Sequence, residues 1–146
     1  MTKKKAKICG VKDVAAIESA VNAGADFIGF VFFPPSPRSV APKVAAKLAK
    51  SVPKSVKTVA VVVDLSNEEL EHILAYFKPD FLQLHGHESK ERVKEVRERF
   101  GIGVIKAISV RNSDDIAIGA GYSEVADMLL FDAKAPSTSP LPGGNG

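Results

Sequence analysis

The feature that most constrains this chain is a regular alternation of two patterns from Ala6 onward. Short β-branched or aromatic runs recur about every 20 to 25 residues, with helical periodicity between them. This spacing is typical of βα units, which build a parallel sheet. The pattern predicts six strands, at Lys7–Cys9, Phe27–Phe33, Thr58–Val63, Phe81–His85, Val104–Ile108 and Asp127–Asp132.

The segments between the strands carry helix signals. Ser66 and Glu69 form a capping box at the start of a helix with Leu70 and Ile73 on one face. Asp13 is predicted to be the N-cap of an earlier helix. Three more helices are predicted from Pro42 to about Ser51, around Val93 and Val96, and at Asp114–Ala120, and the proline-rich segment Pro34–Ser39 is predicted to be a loop.

Six parallel strands are compatible with a doubly wound sheet or with a (β/α)8 barrel cut short. A dinucleotide-binding doubly wound sheet carries three glycines after its first strand. Here Cys9-Gly10-Val11-Lys12 offers one glycine. We therefore predict the α/β TIM-barrel class, with six of the eight parallel strands present in this chain.

Composition limits the organisation and the setting of the chain. With 146 residues, 45% of them hydrophobic, it is predicted to form one domain over 1–146. Much of the +3 net charge comes from a basic tail at 1–5, so we expect no nucleic-acid partner. The sequence has no apolar run of membrane-spanning length and no secretory signal, and its single cysteine fits a reducing compartment, so we predict a cytoplasmic protein without a cysteine-based metal site.

Several polar residues fall where a barrel keeps its chemistry. Inward positions at the carboxyl ends of the strands face the active site of a barrel. Period-two alternation then places Phe81, Met128 and Leu130 on the inner face and Ile8, Leu82, Leu84 and Phe131 on the outer one. The polar residues predicted to face inward are Lys7, Cys9, Gln83, His85 and Asp132, with Lys106 as a further candidate.

A structural interpretation competes with a functional one at each position. A lone cysteine is more often a small buried hydrophobe. His85 could bond only to the loop backbone, Lys106 could form an ion pair within the barrel layers, and Arg38 could be a solvated loop residue. Asp132 favours function more strongly, because a carboxylate after Leu129-Leu130-Phe131 needs either a partner or a wet site.

Short tags along the chain resemble the phosphoribosylanthranilate isomerase family of tryptophan biosynthesis. Their order and spacing coincide over nearly the whole chain. The tags are Lys7-Ile8-Cys9-Gly10, Ile28-Gly29-Phe30-Val31-Phe32 with Ser36-Pro37-Arg38, Gln83-Leu84-His85-Gly86, Lys106-Ala107-Ile108, and Leu130-Phe131-Asp132 with Pro142-Gly143-Gly144-Asn145-Gly146.

The resemblance implies an Amadori rearrangement without metal or organic cofactor. N-(5-phosphoribosyl)anthranilate would become 1-(2-carboxyphenylamino)-1-deoxyribulose 5-phosphate, with Asp132 as general acid and Cys9 as general base. Lys7 on the same strand face would stabilise the Cys9 thiolate. Arg38 would hold the anthranilate end of this phosphosugar substrate, and the further substrate-binding residues implied are Lys7, Gln83, His85, Gly143 and Gly144.

Family members carry two more strands, whose loops build the phosphate site of such barrels. The segment 133–146 is therefore predicted to be the loop after strand six, and strands one and six are predicted to have exposed edges. We expect the chain to associate with a C-terminal fragment or to form a homodimer, and to be a poor enzyme alone. An inactive barrel fragment acting as an assembly or complementation module remains the alternative, whereas the Lys-Ile-Cys-Gly and Gln-Leu-His-Gly tags argue against a neighbouring synthase.

Overall fold

Within the part of the chain that the structure describes, six parallel strands form one sheet, in the order in which they occur in the sequence. The structure is a computed structural model that describes residues 4–133. Every pairing between neighbouring strands is parallel. The strands are β1 (Lys7–Cys9), β2 (Phe27–Phe32), β3 (Lys57–Val62), β4 (Phe81–Leu84), β5 (Gly103–Val110) and β6 (Met128–Ala133).

This strand order decides between the two predicted architectures. A doubly wound sheet reverses direction at a switch point, so its order is not sequential. Here each new strand is added on the same side, from β1 to β6. The prediction of the α/β TIM-barrel class, with six parallel strands in this chain, is confirmed, and the doubly wound alternative is wrong.

A helix follows each of the first five strands, and most helices begin at a side-chain cap. Asp13, Ser66, Ser89 and Asn112 each accept a hydrogen bond from a backbone N–H of the first turn. The predicted helix from Pro42 to Ser51 is an α-helix followed by a 3-10 turn at Ala49–Ser51. The helices are α1 (Val14–Asn22), α2 (Pro42–Leu48), α3 (Asn67–Tyr76), α4 (Lys90–Phe100) and α5 (Ser113–Ala120), and a 3-10 turn at Gly121–Glu124 precedes β6.

The two faces of the sheet pack into two separate cores. The larger core lies between the sheet and the helices and includes Ile28, Leu82 and Val104, together with Leu70 of α3. The smaller core lies on the opposite, inner face. Its buried members are Val31, Val59, Val61 and Ile105, and the side chains packed against them include Cys9, Phe81, Met128 and Leu130.

Within residues 4–133, β1 and β6 each pair with one neighbour. Their outward side chains are consequently open, with Ile8 44% and Phe131 49% exposed. By contrast, the outward side chains of the central strand β4, Leu82 and Leu84, are buried. The two edge strands therefore present apolar surface on the face that helices cover elsewhere in the fold.

Some predictions fall at or beyond the ends of the described range. Ala133 is the last residue of β6, so the predicted loop at 133–146 begins one residue too early. Residues 1–3 of the predicted tail lie outside the described residues, as do Gly143 and Gly144. No helix in the described part is both long enough and apolar enough to span a membrane.

Candidate active site

One cavity of about 490 Å³ opens at the carboxyl ends of the strands, on the inner face of the sheet. Cys9 of β1 and Asp132 of β6 both line it, although these strands are the two edges of the sheet. The sheet therefore curls far enough to bring its edges around one space. The lining residues are Lys7, Cys9, Val31, Phe33, Ser36, Arg38, Val61, Val63, Gln83, His85, Gly86, His87, Leu130 and Asp132.

Lys7 and Cys9 lie side by side on β1, over a glycine of β2. Gly29 pairs with Cys9 in the sheet register. A Cβ atom on Gly29 would stand 3.2 Å from Cys9 Sγ and 3.4 Å from Lys7 Cε. The missing side chain of Gly29 thus makes room for the Cys9 thiol and the Lys7 stem on the same face of the sheet.

Arg38 lies across the loop that follows β1. Gly10 has a positive φ of 80°, and a Cβ there would stand 2.6 Å from Arg38 Cδ. Ser36 Oγ accepts a hydrogen bond from the Arg38 backbone N–H, and Pro37 O accepts one from Lys12 Nζ. The proline-rich loop is thereby tied to the β1 end, so the exposed guanidinium belongs to the same cavity as Cys9.

Gln83, His85 and Asp132 form a polar chain along the other side of the cavity. Gln83 Nε2 lies 2.7 Å from His85 Nδ1, and His85 Nε2 lies 3.3 Å from Asp132 Oδ2. Burial lowers the pKa of His85 and outweighs the attraction of the Asp132 carboxylate, while Lys7 and Lys106 lower it further. His85 is therefore neutral at neutral pH and meets Asp132 as an uncharged imidazole.

The candidate position of Lys106 in the inner ring is wrong. Lys106 is in register with Leu84, which packs in the helix-facing core, and it follows the inward Ile105. Its Nζ donates to Glu88 Oε2 at 2.7 Å and to Gly86 O at 2.8 Å. The competing interpretation predicted an ion pair for Lys106, and Lys106 does form a buried one with Glu88, but the pair lies on the helix-facing side of the sheet and not in the barrel layers.

Glu88 and Asp64 organise the loop after β4, and the sequence analysis did not identify either residue. The Glu88 carboxylate accepts from Asp64 N at 3.0 Å and from Gly86 N at 3.0 Å. Asp64 has a positive φ of 48°, and its carboxylate accepts from His87 N. A buried glutamate just before a helix looks like an ordinary solvated first-turn acid in sequence, so no signal marked it.

The described site shows no donor set for a metal. Among residues 4–133, no group of three or more His, Cys, Asp or Glu side chains is arranged to hold a metal ion. The carboxylate and imidazole of the cavity face each other instead. This arrangement can move protons to and from a bound molecule, with Cys9 and Asp132 as the groups at its two sides.

The chain resembles known proteins over most of its length. Residues 6–146 match the family model described as N-(5'-phosphoribosyl)anthranilate (PRA) isomerase. An N-(5'-phosphoribosyl)anthranilate isomerase of Rhizobium etli is 51% identical over 140 residues, which is 96% of this chain and 63% of that protein. A protein of the same description from Sinorhizobium fredii is 48% identical over 96% of this chain and 62% of its own length.

Solved structures agree with the sequence matches. The crystal structure of phosphoribosyl anthranilate isomerase from Thermotoga maritima superposes with a TM-score of 0.84 at 34% identity, covering 92% of this chain and 64% of that one. A phosphoribosyl anthranilate isomerase in complex with reduced 1-(o-carboxyphenylamino)-1-deoxyribulose 5-phosphate superposes with a TM-score of 0.82 at 33% identity. This match covers 90% of this chain and 66% of that one. The chain thus spans 63% of the length of its Rhizobium etli relative.

Proposed function

Since the chain belongs to the N-(5'-phosphoribosyl)anthranilate isomerase family, we propose that it carries the acid and base of that isomerisation. The reaction is the Amadori rearrangement of N-(5-phosphoribosyl)anthranilate to the corresponding 1-deoxyribulose 5-phosphate, in tryptophan biosynthesis. The observation that carries the proposal is that Cys9 and Asp132, from opposite edges of the sheet, line one cavity.

Asp132 is the general acid in this proposal. Its carboxyl group donates a proton to the furanose ring oxygen, the C–O bond at the anomeric carbon breaks, and the anthranilate nitrogen supplies the electron pair that forms the Schiff base. Asp132 is suited to this step because its side chain is 37% exposed at the mouth of the cavity and meets His85 Nε2 at 3.3 Å. A carboxyl group that reaches both solvent and an imidazole can take up and release a proton.

Cys9 is the general base. As a thiolate it removes the proton from ribose C2, which gives an enolamine that tautomerises to the ketone. Lys7 lies next to it over Gly29, so the ammonium charge stabilises the thiolate during the step. Gly29 supports the pair, because any larger residue at this position would displace Sγ or the lysine stem.

Arg38 binds the anthranilate carboxylate in this proposal. A guanidinium can hold a carboxylate through two parallel hydrogen bonds, and the contact between its stem and Gly10 keeps it beside Cys9. Gln83 and His85 contribute to the substrate-binding wall. We assign Gly143 and Gly144, which lie outside the described residues, to the same substrate-binding set.

The edge strands suggest a partner for the working enzyme. Ile8 and Phe131 are exposed apolar side chains on β1 and β6, where a further β/α unit would cover them. The Thermotoga maritima structure extends beyond the part that this chain matches. We propose that a C-terminal segment of this kind, or a second copy of the chain, completes the barrel in the cytoplasm, and an inactive assembly module is the alternative.

Product formation from phosphoribosylanthranilate tests the proposal. The chain is assayed alone and with the C-terminal segment of the Rhizobium etli relative, as wild type, Cys9→Ala and Asp132→Asn. His72→Gln is the matched control, since His72 lies on α3 away from the cavity. We expect turnover with the added segment in wild type and control and loss of turnover in both site variants. Full activity of either site variant would overturn the assignment, and substrate-independent assembly without turnover would favour the module.

A further inference from the structure

We propose that His85 reprotonates Asp132 after Asp132 has given its proton to the substrate, and that the Gln83 amide rotates to allow this transfer. The proposal rests on the isomerase function proposed above and adds a relay to its acid step. It concerns how Asp132 regains its proton after the ring opens. Each turnover leaves Asp132 without a proton and Cys9 with one, so the enzyme must restore both before the next substrate binds.

The first state of the relay is the arrangement in the structure. An amide NH2 group can only donate, so Gln83 Nε2, at 2.7 Å, makes His85 Nδ1 an acceptor. The single ring proton of the neutral imidazole then lies on Nε2, which faces Asp132 Oδ2 at 3.3 Å. In this state His85 donates to an ionised Asp132, which is the condition after the acid step.

The second state follows from an unpartnered atom. Among residues 4–133, Gln83 Oε1 is a buried side-chain oxygen without a hydrogen-bond partner, on a residue that is 1% exposed. Rotating the amide by half a turn would let Oε1 accept from a protonated Nδ1. Nε2 of the ring would then be an acceptor for a protonated Asp132 carboxyl group.

Protons and charge balance between the two states. A hydronium ion of the solvent gives one proton to His85 Nδ1 and becomes water, the Nε2 proton passes to Asp132 Oδ2, and the imidazole is neutral before and after. The N–H bond at Nε2 breaks as the O–H bond of Asp132 forms. After the next acid step, Nδ1 gives its proton back to the solvent and Nε2 takes one up as the Gln83 amide turns back, which restores the first state. Over the whole cycle only Asp132 changes its net protonation, and Gln83 stabilises each tautomer in turn.

The surroundings of His85 favour a neutral conduit over a lasting imidazolium. Burial lowers the pKa of His85, and the cations Lys7 and Lys106 act in the same direction. Asp132 is the anion that opposes them. The other titratable or charged groups on the cavity wall are Cys9, Arg38 and His87. In the adjoining loops, Asp64 and Glu88 follow β3 and β4, and Lys12 and Arg111 follow β1 and β5.

The test is a ¹⁵N NMR titration of the His85 ring in the whole chain, assigned by loss of the signal in His85→Gln. On acidification, we expect the proton to move from Nε2 to Nδ1 as the Asp132 carboxyl carbon reports protonation. Gln83→Met has no N–H donor and only a weakly accepting sulfur, so it should abolish this exchange. Gln83→Glu can only accept from Nδ1–H while its carboxylate is ionised, so it should hold that tautomer at neutral pH.

The outcomes separate the relay from the enzyme function. Simple conversion of His85 to imidazolium in wild type, or an intact tautomer exchange in Gln83→Met, would overturn the relay even if the isomerase is active. Should Gln83→Met fail to fold, the wild-type titration and Gln83→Glu still decide the question. Tautomer exchange in a chain that never isomerises the substrate would keep the relay and refute the proposed function.

Kinetics give a second readout once turnover is reached. Because the relay acts after the acid step, Gln83→Met should lower kcat roughly ten- to a hundredfold, at or below the low end of acid–base contributions, which is more than any rise in KM from the altered binding wall. The same variant should also shift the acidic limb of the pH dependence of kcat. A rise in KM with unchanged kcat would show that Gln83 only shapes the binding wall.

Discussion

Two carboxylates pair with nitrogen groups near the end of β4, on opposite faces of the same sheet. The two pairs differ in exposure and in the distance between nitrogen and oxygen. Lys106 and Glu88 are 3% and 4% exposed and meet at 2.7 Å. His85 and Asp132 are 30% and 37% exposed and meet at 3.3 Å. We call Lys106 and Glu88 the dry pair, because both side chains are buried and their N–O distance is short. We call His85 and Asp132 the wet pair, because both side chains are partly exposed and their N–O distance is longer.

The surroundings of the two pairs also differ in how many hydrogen-bonding groups have a partner. Lys106 Nζ has three acceptors, at Leu84 O, Gly86 O and Glu88 Oε2, which matches its three N–H groups. Next to the other pair, Gln83 Oε1 has no partner among the described residues. A fully bonded pair holds its loop in one arrangement, whereas the unpartnered Gln83 oxygen leaves the hydrogen bonding beside His85 and Asp132 incomplete.

The largest expected effect comes from removing the acid of the wet pair. Asp132→Asn keeps the shape of the side chain but cannot donate a carboxyl proton, so kcat should fall roughly 10²–10⁴-fold. Stability should change little, because the side chain is 37% exposed. The measurement is steady-state turnover with the completed barrel, alongside chemical denaturation.

Asp127 at the other end of β6 is the matched control for Asp132. Its carboxylate accepts from Val104 N and from Arg97, both at 2.7 Å. Asp127→Asn should therefore lower the free energy of unfolding and leave kcat unchanged in the folded fraction. If Asp132→Asn also acted only on stability, the contrast between the two ends of the strand would be lost.

Breaking the dry pair should affect stability instead of chemistry. Lys106→Met leaves the Glu88 carboxylate buried without its cation, at a cost of about 3–5 kcal/mol in unfolding free energy. Adding Glu88→Gln removes the uncompensated charge and should restore most of the loss. Urea denaturation of both variants measures the effect.

A surface pair sharpens this prediction. Arg99 and Glu71 meet at 2.8 Å, but their side chains are 50% and 51% exposed. Arg99→Met should leave the unfolding free energy nearly unchanged, because water solvates both charges after the bond is lost. An equal loss in Arg99→Met and Lys106→Met would contradict the role assigned to burial.

Gly86 links the two pairs, and a methyl group there should disturb both. A Cβ at this position would collide with the Asp64 carboxylate, so Gly86→Ala should cost about 1–3 kcal/mol through overpacking. Its neighbour His85 should move away from Asp132, which a fall in kcat would report. Adding Asp64→Gly removes the collision and suits the positive φ at 64, so the double variant should recover stability.

The smallest effect is a pH dependence of stability that belongs to the wet pair. The pKa of His85 is lowered from its ordinary 6.5 in the folded chain, so the unfolded chain binds a proton first as pH falls. Neutral His85 therefore makes its full contribution to the unfolding free energy above about pH 6.5, and this contribution declines as the pH falls below that value. Denaturation on both sides of that pH measures the slope.

His85→Asn should flatten this slope, and His72→Asn should leave it in place, because His72 is an exposed residue of α3. A slope that persists unchanged in His85→Asn would assign the effect to another group. The comparison then also tests whether the imidazole is held neutral by burial, as the relay requires.

Much of the inner wall was predictable because β4 and β6 have clear polar markers. Gln83 and His85 alternate with Leu82 and Leu84, so period two alone separates the inner from the outer face. Asp132 follows an apolar run in the same way. The cavity contains each of these predicted polar residues, and the catalytic roles assigned to them remain predictions.

The sequence did not show which side chains of β5 face inward and which face the helices. Val104, Ile105, Ala107 and Ile108 are apolar on both faces, as in strands covered on both sides. A single lysine among them can point either way, and a one-residue change of register reverses it. Only the pairing of Lys106 with Leu84 and Leu129 showed that it faces the helices.

The sequence by itself determined the βα alternation, most helix starts and the inner residues of β1, β4 and β6, because periodicity and capping are local. Tertiary structure decided three other features: the sequential strand order, the meeting of Cys9 and Asp132 around one cavity, and the burial of Glu88 beside Lys106. Each depends on strands far apart in the chain, since curvature and long-range ion pairs arise from how all the units pack together.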